Sequence, residues 1–325
     1  MSTSTASPPR TMPSALPSAR GSAPGGPRRR RLRHGTPIEP LPLRLARAAA
    51  LVVLCGLVII PFLGVVSTSL ADAGQIARAG GLVLWPEAPT LSAYRSIFAG
   101  GVVTQALQVS IGVTVVGTGL SLAATALGAY ALAQPTMIGR RAILLVFLLS
   151  MLFSPGMIPT YLMVKQVGLI NSLWSLILPT MVSAFNLVVM RAFFMNLPNE
   201  LTESARIDGA SEWQVFTRIV LPLSKAVLAV IGLFYAVNYW NAFFNALLYI
   251  DDAAKWPMQL VLRTYVVNDI QLGSGDLGGG TTELLPPQPA IQMAILVVSL
   301  VPILIIYPFL QRHFAKGVLT GAVKG

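Results

Sequence analysis

Charge is scarce in this sequence. Of 325 residues, only 11% are Asp, Glu, Lys or Arg, against 54% hydrophobic. A soluble domain carries roughly 25% charged residues, so the deficit points to lipid as the solvent. Cysteine is nearly absent too. Cys55 stands alone, which excludes an internal disulfide and a cysteine-based metal or redox framework. The two histidines, His34 and His313, sit near opposite ends of the chain. No metal site and no cofactor are therefore expected. No stretch has the G-x-x-x-x-G-K-[ST] spacing that cradles nucleotide phosphates; residues 317–325 hold glycine and lysine without it.

The few charges are bunched, and the gaps between them are long. Residues 48–71, 96–139, 142–164, 166–190, 226–250 and 284–311 carry none. A membrane helix needs about 20 apolar residues, so each window holds one span. Gly100-Gly101 and Gln134-Pro135 trim the second window to a single long helix. The expected fold is all-α: a polytopic membrane protein with spans at about 48–70, 103–133, 142–164, 172–195, 224–250 and 289–311. Ser154-Pro155-Gly156 and Pro159 interrupt the third span, because proline removes a backbone donor and kinks a helix. Such breaks survive in a membrane where protein or a water-filled cavity covers the freed groups. The second half does not repeat the first. No Asp or Glu falls in a span, whereas ion-coupled carriers usually need ionisable groups there.

Basic residues set the orientation. Residues 1–47 hold nine arginines against one acid, Glu39. The positive-inside rule puts this end in the cytoplasm, and an even number of spans returns the C-terminus to the same side. Arg140, Arg141, Arg191, Arg206, Arg218, Lys225, Arg312, Lys316 and Lys324 then lie inside as well. Only Arg78, Arg95, Lys165, Lys255 and Arg263 lie outside. The Pro/Ser/Gly-rich residues 1–47 read as a disordered tail that touches anionic lipid, rather than as a nucleic-acid arm. The first span is too long for the core of a cleaved signal peptide.

The inside connection over 196–222 is polar yet has strong helix grammar. Pro198-Asn199 is a start signal, with Asn199 as N-cap. Glu200 and Glu203 lie in the first turns, where the helix dipole favours negative charge. Gly209 is a natural stop. Ser211 and Gln214 have capping-box spacing, and Val215, Phe216 and Ile219 put apolar groups on one side of a second helix that Pro222 ends. Two short helices with a sharp turn at Gly209 are predicted. The first carries Glu200, Glu203 and Arg206 beside Leu201 and Ile207. That mixture suits a knob docking on another protein, and equally a surface helix with a Glu203–Arg206 pair.

The spacing favours the knob. Glu203-Ser204-Ala205 is followed by three residues, Gly209, nine residues, then Ile219-Val220-Leu221-Pro222. This resembles the EAA loop of the membrane-spanning subunits of ABC importers, EAA-x3-G-x9-I-x-LP, with Ser204 standing for the first alanine. Residues Ala205 to Ser211, with Arg206, Asp208 and Gly209, resemble the carbohydrate-importer branch. So do Tyr239 to Ala246, and the C-terminal Lys316-Gly317 with residues 321–325. Asp251-Asp252 and residues 255–263 resemble the outside loop of the subgroup for complex oligosaccharides, including uronic-acid-containing ones.

The resemblance implies a type I ABC importer permease fold in the plasma membrane. It implies half of a pore, paired with a second, related permease. Two cytoplasmic ATPase subunits would grip the loop at Glu200, Glu203, Ala205, Arg206, Asp208, Gly209, Ile219, Leu221 and Pro222. An extracytoplasmic binding protein would deliver the sugar, and ATP hydrolysis would belong to the partners, leaving this chain non-catalytic. Asn186, Asn238, Trp240, Asn241 and Asn245 are candidates for the substrate path, since amides both donate and accept. Membrane asparagines also serve as interhelical glue, and that reading stays open. The competing functions are a free-standing carrier or channel and an intramembrane enzyme. The enzyme lacks a histidine or carboxylate in any span.

Overall fold

A computed structural model of the chain describes residues 41–273, 276–277 and 286–322, with side chains described as far as residue 308. Residues 1–40 of the expected basic tail, most of the glycine-rich stretch 273–280 and residues 323–325 lie outside these. Every regular element among the described residues is a helix.

Helix α1 (Leu41–Leu70) starts seven residues before the expected span, so residues 41–47 of the expected tail are helical. Residues 41–54 belong to a unit of their own and are exposed throughout. From Cys55 onward the chain forms a second unit. Two short helices, α2 (Ala73–Ala79) and α3 (Ser92–Ile97), follow α1.

The second unit is organised by α4 (Val102–Ala133), 32 residues long. At 1.5 Å per residue it reaches about 48 Å, well over a hydrocarbon core of about 30 Å. Its buried positions Val103, Ala106, Ser110, Val113, Gly117 and Ser121 recur every three or four residues, so one face meets protein and the other is left for lipid. That face packs on α8 (Ala184–Met195) and α12 (Lys225–Trp240). The contact is close because the α4 face is small. A β-carbon at Gly117 would stand 2.9 Å from the Tyr239 ring. Two phenols of α12 end on hydroxyls of α4: Tyr239 with Ser121 at 2.7 Å and Tyr235 with Thr125 at 2.6 Å. The Tyr235 oxygen also accepts from the Ser183 amide at 3.0 Å, at the start of α8. These phenols are buried in apolar surroundings, where an unmatched hydroxyl would cost roughly 1–3 kcal/mol.

The expected third span is two helices, α5 (Arg140–Leu152) and α6 (Met157–Gln166). Phe153 is extended and Gly156 takes φ +83°. At 13 and 10 residues they reach about 20 and 15 Å, so neither crosses a bilayer alone. The fourth expected span is also bent. It holds α7 (Trp174–Ile177), a 3-10 turn containing Pro179, then α8 at 52°. Ser183 caps α8 by accepting from the Asn186 amide. The fifth breaks at Asn241-Ala242 into α12 and α13 (Phe243–Tyr249). The last, α15 (Gln288–Ala322), is continuous. Among the described residues, three helices are long and apolar enough to cross a membrane, and up to five if the two bent pairs, residues 174–180 with α8 and residues 212–223 with α12, each count as one span. The α5–α6 pair is the member of the expected six that length and composition leave out. Near the start of α4, a second apolar cluster joins Ile97, Val103, Met258, Val261 and Ile291. It seats α14 (Met258–Leu262), whose Met258 amide donates to Ser110 Oγ at 2.7 Å.

Candidate functional site

Helix α9 (Asn199–Ile207) is nine residues long, too short to persist alone in water. Its N-cap is Pro198, not Asn199, and no side chain caps it. Proline at φ −58° already has the backbone angle of a helix start. At the other end the chain reverses through a Schellman arrangement. The Gly209 amide donates to Arg206 O at 3.1 Å and the Ala210 amide to Ala205 O at 2.9 Å. Gly209 has φ +82°, the left-handed conformation that glycine alone adopts cheaply. Ala205 and Ala210 both pack against the core beneath, which closes the turn with an apolar contact.

The second helix starts at a complete capping box. The Ser211 amide donates to Gln214 Oε1 at 2.8 Å, and the Gln214 amide donates to Ser211 Oγ at 3.4 Å. Helix α10 (Glu212–Val215) runs into a π-helical turn, Phe216–Val220, and then α11 (Leu221–Leu223). The widened turn lies just before Pro222, which has no N–H to give to the ladder. Pro222 therefore sits inside the helix and the end falls one residue later, at Leu223. There the chain bends by 83° into α12.

Arg206 does not pair with Glu203. Its Nε donates to Glu212 Oε1 at 2.8 Å and its Nη2 to Glu212 Oε2 at 3.2 Å. The reversal at Gly209 brings the last turn of α9 against the first residue of α10, so the bridge spans the turn. Nη2 also donates to Gln134 Oε1 at 3.1 Å, and the Tyr130 hydroxyl donates to Glu212 Oε2 at 2.7 Å. The turn is thus tied to the end of α4. The Arg206 hydrogen bond, with help from Tyr130, holds the Glu212 carboxyl below the usual range against the opposing effect of burial. Glu212 in turn raises Arg206.

Around this bridge the predicted residues sort by exposure. Glu200, Glu203 and Asp208 are exposed, and Ile207 is 86% exposed. Ile219 is half-buried, and Leu221 packs against the core. Between α9 and the ends of α4 and α8 lies a cleft of about 400 Å³, lined among others by Tyr130, Arg140, Asn199, Thr202 and Glu203. Tyr130 and Gln134 had no sequence signal, because they stand 82 and 72 residues from their partners.

The five candidates for the substrate path do not form one site. Asn238, Asn241 and Asn245 line a cleft of about 470 Å³ with Phe234, Val237, Ala242 and Phe244, at the break between α12 and α13. Trp240 is buried, and its indole N–H donates to Ser299 O at 3.1 Å on α15. Asn186 is buried on α8, away from the cleft lining.

Residues 51–320 match the family described as "Binding-protein-dependent transport system inner membrane component". The chain is 45% identical, over 82% of its length and 93% of the relative's, to the polygalacturonan/rhamnogalacturonan transport system permease protein YtcP of Bacillus subtilis (strain 168). It is 48% identical to protein LplC of the same organism, over 82% of this chain and 90% of that one. Among solved structures it is similar to a bacterial ABC transporter involved in the import of the acidic polysaccharide alginate. That similarity has a TM-score of 0.77 and 29% identity, covering 86% of this chain and 100% of that one.

Proposed function

This chain belongs to the family of inner membrane components of binding-protein-dependent transport systems, a family of multi-pass permeases, and from that premise we propose that it is one half of the pore of an ATP-driven importer for acidic oligosaccharides. Relatives named for polygalacturonan, rhamnogalacturonan and alginate support the substrate class. The partners in this reading are a second permease, two cytoplasmic ATPase subunits and an extracytoplasmic binding protein. Both termini lie in the cytoplasm, in keeping with the basic residues there. The α5–α6 pair counts as the sixth span; its break is exposed in this chain, so the second permease or a water-filled path would cover it.

The observation that carries the coupling role is the turn over 198–223. It stands between α8 and α12, presents Glu200, Glu203, Ile207 and Asp208 outward, and is braced from behind. An exposed isoleucine flanked by carboxylates suits a cleft with an apolar floor and a basic rim. An ATPase gripping α9 would move α9 and α10 as one body, because Arg206 and Glu212 join them. Tyr130 and Gln134 would pass the displacement to α4, and the chain itself would pass it to α8 and α12. Discrete shifts of packed helices are how such motions open and close a path. Asn238, Asn241 and Asn245 would line that path and meet sugar hydroxyls.

Uptake in cells holding the whole system, with and without an intact ATPase subunit, tests this reading. The importer loses uptake when the ATPase is inactive. A free-standing carrier keeps it.

A further inference from the structure

Arg263 opens the π-helical turn Arg263–Val267 that follows α14. Its guanidinium carbon lies 5.0 Å from the centre of the Phe243 ring. Phe243 is the first residue of α13, and its chain neighbours Ala242 and Phe244 both line the asparagine cleft. The cation therefore stands one side chain away from that cleft and is not itself among the lining residues. It is exposed, and it takes part in none of the ion pairs Arg78–Glu87, Arg206–Glu212 and Lys255–Asp252. Lys255, the nearest basic residue along the same connection, is committed both to Asp252 at 3.4 Å and to the Asn171 carbonyl at 3.0 Å.

A guanidinium resting on an aromatic face is held flat, and its N–H edge stays available. That edge matches a carboxylate in a bidentate pair. The cleft beside it holds three amides and no acid among its lining residues. Asn241 Nδ2 donates to Val237 O at 2.9 Å, which leaves the amide oxygen to accept from a ligand hydroxyl. A cation for one carboxylate and amides for several hydroxyls together describe a uronic acid.

We propose that Arg263, stacked on Phe243 next to the Asn238–Asn241–Asn245 cleft, is the residue that selects a uronate carboxylate as the oligosaccharide enters this subunit. The inference rests on the acidic-oligosaccharide reading above and adds the group that reads the charge. Its test uses the complete importer in proteoliposomes, supplied with its binding protein, and compares uptake of trigalacturonate with that of its fully methyl-esterified form. Charged hydrogen bonds contribute roughly 1.5–3 kcal/mol. Arg263→Gln is therefore expected to lower kcat/KM for the acid about 10- to 100-fold, with the ester unchanged. Arg263→Lys should fall between, since it keeps the charge and loses the fork. Asn245→Ala should weaken both substrates. Equal losses on both substrates in Arg263→Gln would assign Arg263 to folding or to docking the binding protein, and no change would place it off the path. Either result overturns the inference and leaves the acidic-oligosaccharide reading intact. Wild-type importer that moves the ester but not the acid, or neither, would overturn that reading itself.

Discussion

Helix α4 is held to its neighbours in two different ways along its length. In its middle, Ser121 and Thr125 meet the phenols of Tyr239 and Tyr235 in a buried, neutral contact. At its end, Tyr130 and Gln134 meet the charged pair Arg206–Glu212 at the surface. The neutral contact has no water to replace a lost partner, so it is fixed in place. The charged one is reachable by water and salt, so it can be broken and remade. A permease needs both kinds of contact. In the proposed coupling role, the bundle would stay assembled while the turn responds to a partner.

Substitutions at the two kinds of contact should differ in size and in their response to salt. The largest effect is expected at Gly117. Its α-carbon faces the Tyr239 ring so closely that a β-carbon would stand 2.9 Å away. Gly117→Leu should cost about 3 kcal/mol or more, through overpacking. It should show as loss of folded protein in detergent on size-exclusion chromatography. Tyr235→Phe comes next. It strips a partner from Thr125 Oγ1 and from the Ser183 amide, and should cost about 1–2 kcal/mol with no dependence on salt. Thermal unfolding in detergent at two ionic strengths reads this.

Smaller effects are expected at the turn. Gly209 has φ +82° and nothing within 4 Å of an added β-carbon, so Gly209→Ala meets only the backbone cost of about 1 kcal/mol. Gly209→Asn should cost less. Both should reach the membrane at normal levels, while an importer assembled with Gly209→Pro should hydrolyse ATP on its ATPase subunits without moving sugar. Glu212→Gln is the smallest in stability. An exposed ion pair is worth about 0–1 kcal/mol, and the difference from wild type should shrink as salt rises. The pH dependence has a definite sign. The folded state holds the Glu212 carboxyl below its ordinary value of 4.5. Its contribution is therefore present above that value and fades as pH falls through the lower folded one. Wild type and Glu212→Gln should differ in melting temperature at pH 7 and converge in acid.

The contrast also shows what was legible in the sequence. Short-range grammar was readable. The turn at Gly209 and the Ser211–Gln214 box were both expected, and both are present. Each depends on residues within a few positions of one another. The long apolar helices were readable for the same reason. The partner of Arg206 was not. Spacing offered Glu203, three residues away on the same helix. The reversal at Gly209 instead aims the side chain at Glu212, and no periodicity encodes that direction. Tyr130 and Gln134 reach the turn only through the tertiary fold. Trp240 stands among the asparagines in sequence. Yet Asn238, Asn241 and Asn245 meet at the break between α12 and α13, while Trp240 is buried with its indole N–H on Ser299 O of α15. The break in the third span was readable from Ser154-Pro155-Gly156, and residues 153–156 separate α5 from α6. The bend in the fourth was not, because apolar content reports that a segment suits lipid and says little of whether its backbone stays straight across Pro179.

In the proposed mechanism an ATPase subunit grips α9. Ile207 is its most exposed apolar group. The direct test is cross-linking of an Ile207→Cys variant, in a Cys55→Ser background, to single cysteines around the predicted cleft of the ATPase in membranes. A specific cross-link is expected from position 207, with a yield that changes between nucleotide-free and ATP-bound states. Under the same conditions, a control Trp85→Cys variant on the far end of the bundle should give none. Cross-linking no stronger at 207 than at 85 in either state would contradict that grip.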